Sequence, residues 1–348
     1  MGIIKIGSRI IGEGNPAYII AEMSANHNQD FDRAMEIVSA AKDSGADAIK
    51  LQTYTPDTIT LNCKNDYFMI KGTIWNNQNL YELYETTHTK WGWHAELQKT
   101  AHDLGLDFFS TPFDFSSVDF LVQMNIPAYK VASPELVDIP LLKKIASAGK
   151  PVIVSTGMGT LGEIDTAVRT IRETGNNQVA LLKCTSAYPA LPEEMNLKTI
   201  EHLSATFEVP AGLSDHTLGI EVPVAAVASG ASIIEKHLTL SRDDGGPDSA
   251  FSLEPAEFKA MVRAVRIAEK AMGQVRYGAT EQESIGKKYR RSLFVSTTMG
   301  KGQVFSQDNI KSVRPGHGLP PVFINDIIGR KARTHIEKGT PLSWDLIQ

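Results

Sequence analysis

The sequence predicts an α/β chain, a (β/α)8 barrel followed by a small, mostly β domain. Three observations carry that expectation. Eight short runs rich in β-branched residues recur between Tyr18 and His237, with helical patterns between most of them. Most of these runs are apolar on both faces, as parallel strands covered all round must be. After Gly273 the texture changes to short alternating runs broken by turn signals.

The runs are Tyr18–Met23, Ala48–Gln52, Asp107–Thr111, Ala128–Ala132, Val152–Ser155, Val179–Cys184, Ala211–Ser214 and Ser232–His237. Strands alternating with helices suit a closed barrel better than an open sheet. Asp30 can cap a helix that puts Phe31, Ala34, Met35, Val38 and Ala41 on one face and stops at Gly45. A second helix runs from Leu161 to Glu173. Pro255 suits the first turn of another that reaches Met272, with Gly273 beyond it. The barrel domain is therefore expected over residues 1–273. Residues 274–288 are polar without a sustained apolar period and read as a linker. Residues 289–348 read as the β domain, with turns at Gly300-Lys-Gly302, Pro315-Gly316 and Gly339-Thr-Pro341.

Composition excludes several classes. Of 348 residues, 42% are hydrophobic and 22% charged, which is ordinary globular usage rather than disorder. Lys and Arg number 35 against 40 Asp and Glu, a net charge of −5 that argues against a nucleic-acid binder. No apolar run approaches the ~20 residues needed to span a bilayer, so no membrane segment is expected. Two cysteines cannot build a disulfide framework, and the start, Met-Gly-Ile-Ile-Lys-Ile, does not read as a signal peptide. A cytoplasmic location is expected.

Nearly every run ends in polar, reactive residues: Glu22; Lys50 and Gln52; Ser110 and Thr111; Lys130 and Ser133; Ser155; Thr185; Ser214 to His216; Glu235 to His237. In a barrel these ends converge on one face, where catalytic groups sit. Gly157-Met-Gly-Thr-Leu-Gly162 matches a dinucleotide fingerprint, but the next strand ends in Lys183-Cys-Thr185 instead of the acid that would confirm it. A tight barrel loop explains the glycines better.

His216 and His237 end neighbouring strands and could share a divalent cation, with Asp215 and Glu235 orienting the imidazoles or completing the shell. Ordinary hydrogen-bonded histidines are the competing reading. Lys50 and Lys130 interrupt core-like sequence, and a lysine is costly to bury unpaired. With Thr111, Ser133, Ser155 and Ser214 they suit a phosphate or carboxylate ligand. A Schiff-base lysine and structural ion pairs with Glu22 and Glu135 are the alternatives. Glu22 and Asp248 are candidates for a general base or for a contact to a substrate hydroxyl. Arg314, on a Gly/Pro loop of the small domain, matters only if that domain covers a barrel mouth.

Together these residues resemble the sialic acid synthase family, which joins phosphoenolpyruvate to an amino sugar. The matching segments are Ile19-Ile-Ala-Glu22, Asn26-His27, Lys50-Leu-Gln-Thr53, Ser110-Thr-Pro-Phe113, Tyr129-Lys-Val-Ala-Ser133 with Glu135, Ser155-Thr-Gly-Met158, Cys184-Thr185, Tyr188-Pro189, Gly212-Leu-Ser-Asp-His216, Glu235-Lys-His237 and Gly246-Pro-Asp248. Val313-Arg-Pro-Gly316 looks like the family's antifreeze-like (SAF) domain. Ala21-Glu-Met-Ser-Ala-Asn-His27, Leu80-Tyr-Glu-Leu-Tyr84 and Ser249-Ala-Phe-Ser-Leu253 resemble the branch that uses a diacetamido-trideoxy altrose. Ser186 stands where the neuraminate branch carries Asn.

The resemblance implies that His216 and His237 hold a divalent metal, manganese first, with magnesium or cobalt as alternatives. It implies that Lys50, Thr111, Lys130, Ser133, Ser155 and Ser214 grip phosphoenolpyruvate. Glu22, Gln52, Tyr188 and Asp248 would meet the sugar, with Glu135 among the substrate contacts. Arg314 would come from the partner of a homodimer with swapped small domains. Alternatives are the same chemistry on N-acetylmannosamine, a Schiff-base aldolase, and a non-catalytic sugar-binding protein.

Overall fold

A computed structural model describes residues 2–348. The chain divides into two compact units, Met1–Gly273 and Gln274–Gln348. In the first, eight parallel strands close on themselves. They are β1 (Tyr18–Glu22), β2 (Ala48–Thr53), β3 (Asp107–Pro112), β4 (Tyr129–Val131), β5 (Val152–Ser155), β6 (Val179–Cys184), β7 (Ala211–Asp215) and β8 (Ile233–His237). β8 pairs with β1 in the register His237↔Glu22 and with β7 in the register Glu235↔Ser214.

Helices α1 (Phe31–Asp43), α2 (His94–Asp103), α3 (Phe115–Gln123), α4 (Ile139–Ala146), α5 (Leu161–Glu173), α6 (Lys198–Phe207), α7 (Glu221–Ala228) and α8 (Pro255–Met272) follow the strands in turn. Local chemistry sets their starts. Asp30 accepts the Arg33 amide at 3.1 Å, and Thr160 with Glu163 forms a reciprocal cap on α5. Aliphatics from strands and helices form one continuous core. A hairpin of Ile3–Ile6 and Arg9–Gly12 precedes the barrel; its Ile4, Ile6 and Ile11 join that core. The sequence reading had no element there.

Gly212 explains how β7 and β8 approach. A Cβ at that position would collide with the Ile233 carbonyl. Outside the ring, Lys236 Nζ lies 2.5 Å from Asp215 Oδ2 with both side chains fully buried. Thr217 completes the cluster, donating its hydroxyl to Asp215 and offering its carbonyl to Lys236.

The second unit has its own small core, including Leu293, Val295, Met299, Phe305, Ile310 and Ile327. Strands β9 (Ser292–Val295) and β10 (Ile310–Val313) pair antiparallel, and isolated bridges such as Met299–Ile336 and Val304–Lys331 extend the β character. Within 274–288, Glu281–Gly286 forms a short helix capped by Thr280.

Breaking the Asp215–Lys236 pair from one side leaves a buried charge without its partner. Asp215→Ala should cost about 3–5 kcal/mol of unfolding free energy, read from the urea midpoint. A loss under 1 kcal/mol would contradict the fully buried pair.

Candidate active site

The C-terminal ends of the barrel strands open onto a cavity of about 380 Å³. Alternation along β8 sends Glu235 and His237 into it and Lys236 away from it. The floor is charged. Lys50 Nζ lies 2.6 Å from Glu22 Oε2, 3.2 Å from Thr111 Oγ1 and 3.7 Å from Glu235 Oε1. Lys130 Nζ donates to Ser155 Oγ at 2.6 Å and to the Val131 carbonyl at 2.8 Å, and sits 3.9 Å from the same Glu235 oxygen. Ser214 donates to that oxygen at 3.1 Å.

Glu235 thus joins the two lysines. Burial disfavours the Lys50 ammonium, but Glu22 and Glu235 outweigh it and hold the pKa above its ordinary value. Lys130 has less carboxylate help, and burial lowers it.

Beside this floor, Gln52 Nε2 donates to Glu22 Oε1 at 3.0 Å and to Ser24 Oγ at 2.9 Å. Ser24 in turn donates to Asp248. Asp248 is half-buried, and desolvation raises its carboxyl above the usual range. A loop acid that the sequence marks only weakly is therefore part of the cavity lining. The Tyr188 ring lies 4.5 Å from that of His216.

The His216 and His237 rings have centroids 5.3 Å apart. His216 Nδ1 lies 3.0 Å from the Thr185 carbonyl, which makes Nδ1 a donor. Burial disfavours the imidazolium, but Cys184 and that carbonyl outweigh it and raise the pKa, so Nε2 offers a lone pair to a cation on losing its proton. His237 Nδ1 is buried without a hydrogen-bond partner, and burial with the nearby His216 holds that imidazole well below its ordinary pKa. Such donors fit a divalent cation. Among the described residues no group of three or more His, Cys, Asp or Glu side chains gathers for a metal, so water or substrate would complete the shell.

Of the residues expected at the site, Glu22, Lys50, Gln52, Thr111, Lys130, Ser133, Ser155, Tyr188, Ser214, His216, His237 and Asp248 all line this cavity. Glu135 does not. It lies half-buried nearby with Oε2 sealed and unpaired, and desolvation raises its carboxyl to about 7. Arg314 is exposed on the second unit. Two expectations need correcting. Asp215 does not serve the imidazoles; strand alternation turns it outward onto Lys236. Glu235 faces the lysines instead. The glycine fingerprint is a barrel loop, since a Cβ on Gly157 would strike Ser133 and Ser186, and its amide donates to Ser133 Oγ at 3.0 Å.

Two features escaped the sequence reading. Cys184 is buried on the lining with Sγ 3.9 Å from His216 Nδ1; burial opposes its thiolate, but the histidine contact prevails and holds the pKa at about 7. The other is an excursion, residues 54–93, between β2 and α2. It carries the short helices Pro56–Ile59 and Leu80–Thr87 and walls the cavity with Ile59, Ile70, Leu80, Leu83 and Tyr84. Its legible signal was length, because β2 and β3 are far apart in sequence with no strand pattern between.

A parallel barrel whose mouth gathers paired lysines, hydroxyls and two imidazoles is the architecture of an enzyme that handles an anionic substrate. Residues 37–277 match the NeuB family, and residues 290–348 match the SAF domain. A pseudaminic acid synthase of Helicobacter pylori is 44% identical over 340 residues, covering 96% of this chain and 98% of that protein. One from Campylobacter jejuni is 46% identical over 325 residues, covering 93% and 95%. The crystal structure of an N-acetylneuraminic acid synthetase from Leptospira borgpetersenii superimposes with a TM-score of 0.74 at 32% identity, covering 82% of this chain and 95% of that one. The chain belongs to the NeuB family.

The excursion is fastened by buried histidines. His27 Nε2 lies 3.2 Å from Thr89 Oγ1, and His94 Nε2 lies 2.8 Å from Thr53 Oγ1. Burial holds both imidazoles at about 4. The unfolded chain binds protons near pH ~6.5 that the folded chain refuses until about 4. Their contribution to stability is therefore complete above that range and lost as pH falls through it. The raised carboxyls of Glu22 and Asp248 act in the opposite sense, so the measurement is a difference. The urea midpoint of His94→Gln should fall less than that of the parent on acidification from about pH 7 to about 4.5. Parallel profiles would refute this assignment.

Proposed function

We propose that the chain condenses phosphoenolpyruvate with a diacetamido-trideoxy altrose to give pseudaminic acid and phosphate. The observation that carries the reading is the floor, where two buried lysines ringed by hydroxyls lie in one cavity with an imidazole pair. The sequence identity to two pseudaminic acid synthases, 44% and 46%, supports this sugar over N-acetylmannosamine, since the N-acetylneuraminic acid synthetase stands at 32%.

Lys50, Lys130, Thr111, Ser133, Ser155 and Ser214 would bind the phosphate and carboxylate and hold the methylene carbon against the sugar's aldehyde. Glu22, Gln52, Tyr188 and Asp248 would orient the sugar, with Glu135 close behind the lining. His216 and His237 would hold a divalent cation, manganese first, which when bound supplies Lewis acidity toward a carbonyl oxygen. The enol π pair forms the new carbon–carbon bond while the aldehyde's C=O π pair withdraws to its oxygen, which ends as a hydroxyl with a proton from the water consumed in the next step. Water then adds at the phosphate-bearing carbon, and C–O cleavage expels phosphate and leaves a 2-keto acid. The lysines neutralise the departing phosphate. A Schiff-base route is disfavoured at Lys50, whose ammonium Glu22 and Glu235 hold charged; at Lys130, whose pKa burial lowers, borohydride trapping decides.

A homodimer with exchanged second units also fits the chemistry. The segments after β3 to β7 each expose an apolar side chain around the mouth: Phe115, Val137, Met158, Leu191 and Leu218. Such a ring suits a docked partner. The charges are complementary, with 12 Lys and Arg against 6 Asp and Glu in residues 274–348, and 23 against 34 in the barrel unit. Arg314 of one protomer would then serve the other's cavity. Two free cysteines support a cytoplasmic setting, and among the described residues no helix is long and apolar enough to cross a membrane.

Phosphate release from phosphoenolpyruvate should require the sugar, vanish on chelation and return with added divalent metal. Full turnover after verified metal removal, or trapping by borohydride, would rule the scheme out. For the exchanged dimer, Arg314→Ala and Lys130→Met should each be inactive. Mixed and allowed to re-associate, they should recover about a quarter of parental activity, because half the dimers carry one intact site. No recovery would mean that each chain completes its own site.

A further inference from the structure

The cavity has two chemically distinct halves. The floor carries the lysines, carboxylates, hydroxyls and imidazoles. The wall supplied by the excursion is mostly apolar: Ile59, Ile70, Leu80 and Leu83 line the space and are only half-buried, beside Trp75 and the hydroxyl-bearing Tyr54, Thr73, Tyr84 and Thr87, whereas the aliphatics of the barrel strands are sealed. The hydroxyls of Tyr54 and Thr87 on this side are 2.7 Å apart and share one hydrogen bond. The excursion is also held across the mouth. Trp75 Nε1 donates to the Pro247 carbonyl at 3.0 Å, next to Asp248, and its ring lies 5.6 Å from that of Tyr188. Gln29 Nε2 ties down the His88 carbonyl at 2.6 Å, and Trp91 Nε1 the Tyr54 carbonyl at 3.1 Å.

We propose that this pinned apolar wall is the specificity element of the site, and that it selects an N-acylated sugar ending in a methyl group over one ending in a hydroxymethyl group. The inference rests on the condensation reading. If the floor holds phosphoenolpyruvate and the sugar's reacting carbonyl, the far end of an open-chain hexose lies along the remaining lining. A terminal methyl covers half-exposed Leu83 and Ile70 and displaces water. A terminal hydroxyl placed against Leu83 and Ile70 finds no donor or acceptor on either side chain, and its desolvation there goes uncompensated. An apolar pocket discriminates against one added hydroxyl by up to about 100-fold. Trp75 acts as a positioning residue, since it holds the wall over the loop that carries Asp248.

The test compares kcat/KM for phosphate release from phosphoenolpyruvate with two sugars, the diacetamido-trideoxy hexose and its counterpart retaining the terminal hydroxyl. The parent protein should prefer the methyl sugar by about 10- to 100-fold. In Leu83→Asn, and independently in Ile70→Asn, the ratio should shrink to within about three-fold of unity through loss of turnover on the methyl sugar. The KM for phosphoenolpyruvate should stay at its parental value. Turnover of both sugars by the parent without preference would overturn this inference alone, whether or not the variants fold. A parental preference that survives intact in a folded variant would do the same. No phosphate release with either sugar would overturn the condensation itself, and this inference with it.

Discussion

Four charges in a barrel mouth, Lys50, Lys130, Glu22 and Glu235, set the terms for the rest of the molecule. Each is almost wholly buried, and none could remain ionised there alone. Their mutual placement, with Glu235 within 4 Å of both ammonium groups, makes an interior that is charged yet neutral in sum. Compensation of this kind seldom stabilises a fold more than well-packed apolar side chains would. Its value is chemical. A group already dehydrated and held by fixed dipoles meets an incoming anion without first reorganising water.

The barrel supplies the rigidity this needs. Adjacent strands fix neighbouring groups by register, so that Glu22 stands between Lys50 on β2 and His237 on β8. Gly212 allows β7 to approach β8 closely. The outward side of the same strands is tied by Asp215, Lys236 and Thr217, so β7 and β8 are held from both faces at the point where the imidazoles emerge.

The division between a polar floor and an apolar wall follows from chain topology. Strand ends contribute the floor because every strand of a parallel barrel points the same way. The wall comes from an excursion that no barrel requires, fastened by neutral histidines at its base and by Trp75 across the mouth. Chemistry common to a family can reside in the first, and discrimination among sugars in the second.

Much of this was legible in the amino-acid order. β5, β6 and α5 have the bounds that their apolar periods and capping residues predict, because local sequence decides where a strand or helix can start and stop. The polar residues at the strand ends already named the charged floor of the cavity, since parallel strands deliver their C-terminal residues to one face. Partnership was not legible. That Glu235 serves lysines and not imidazoles, that Asp215 turns outward, and that Asp248 bonds Ser24 on the cavity lining depend on side-chain direction and on contacts between residues more than two hundred positions apart. The excursion shows the same limit: its sequence carries length and apolar residues, but only folding brings them over the charged floor, because burial and pairing are properties of the assembled barrel.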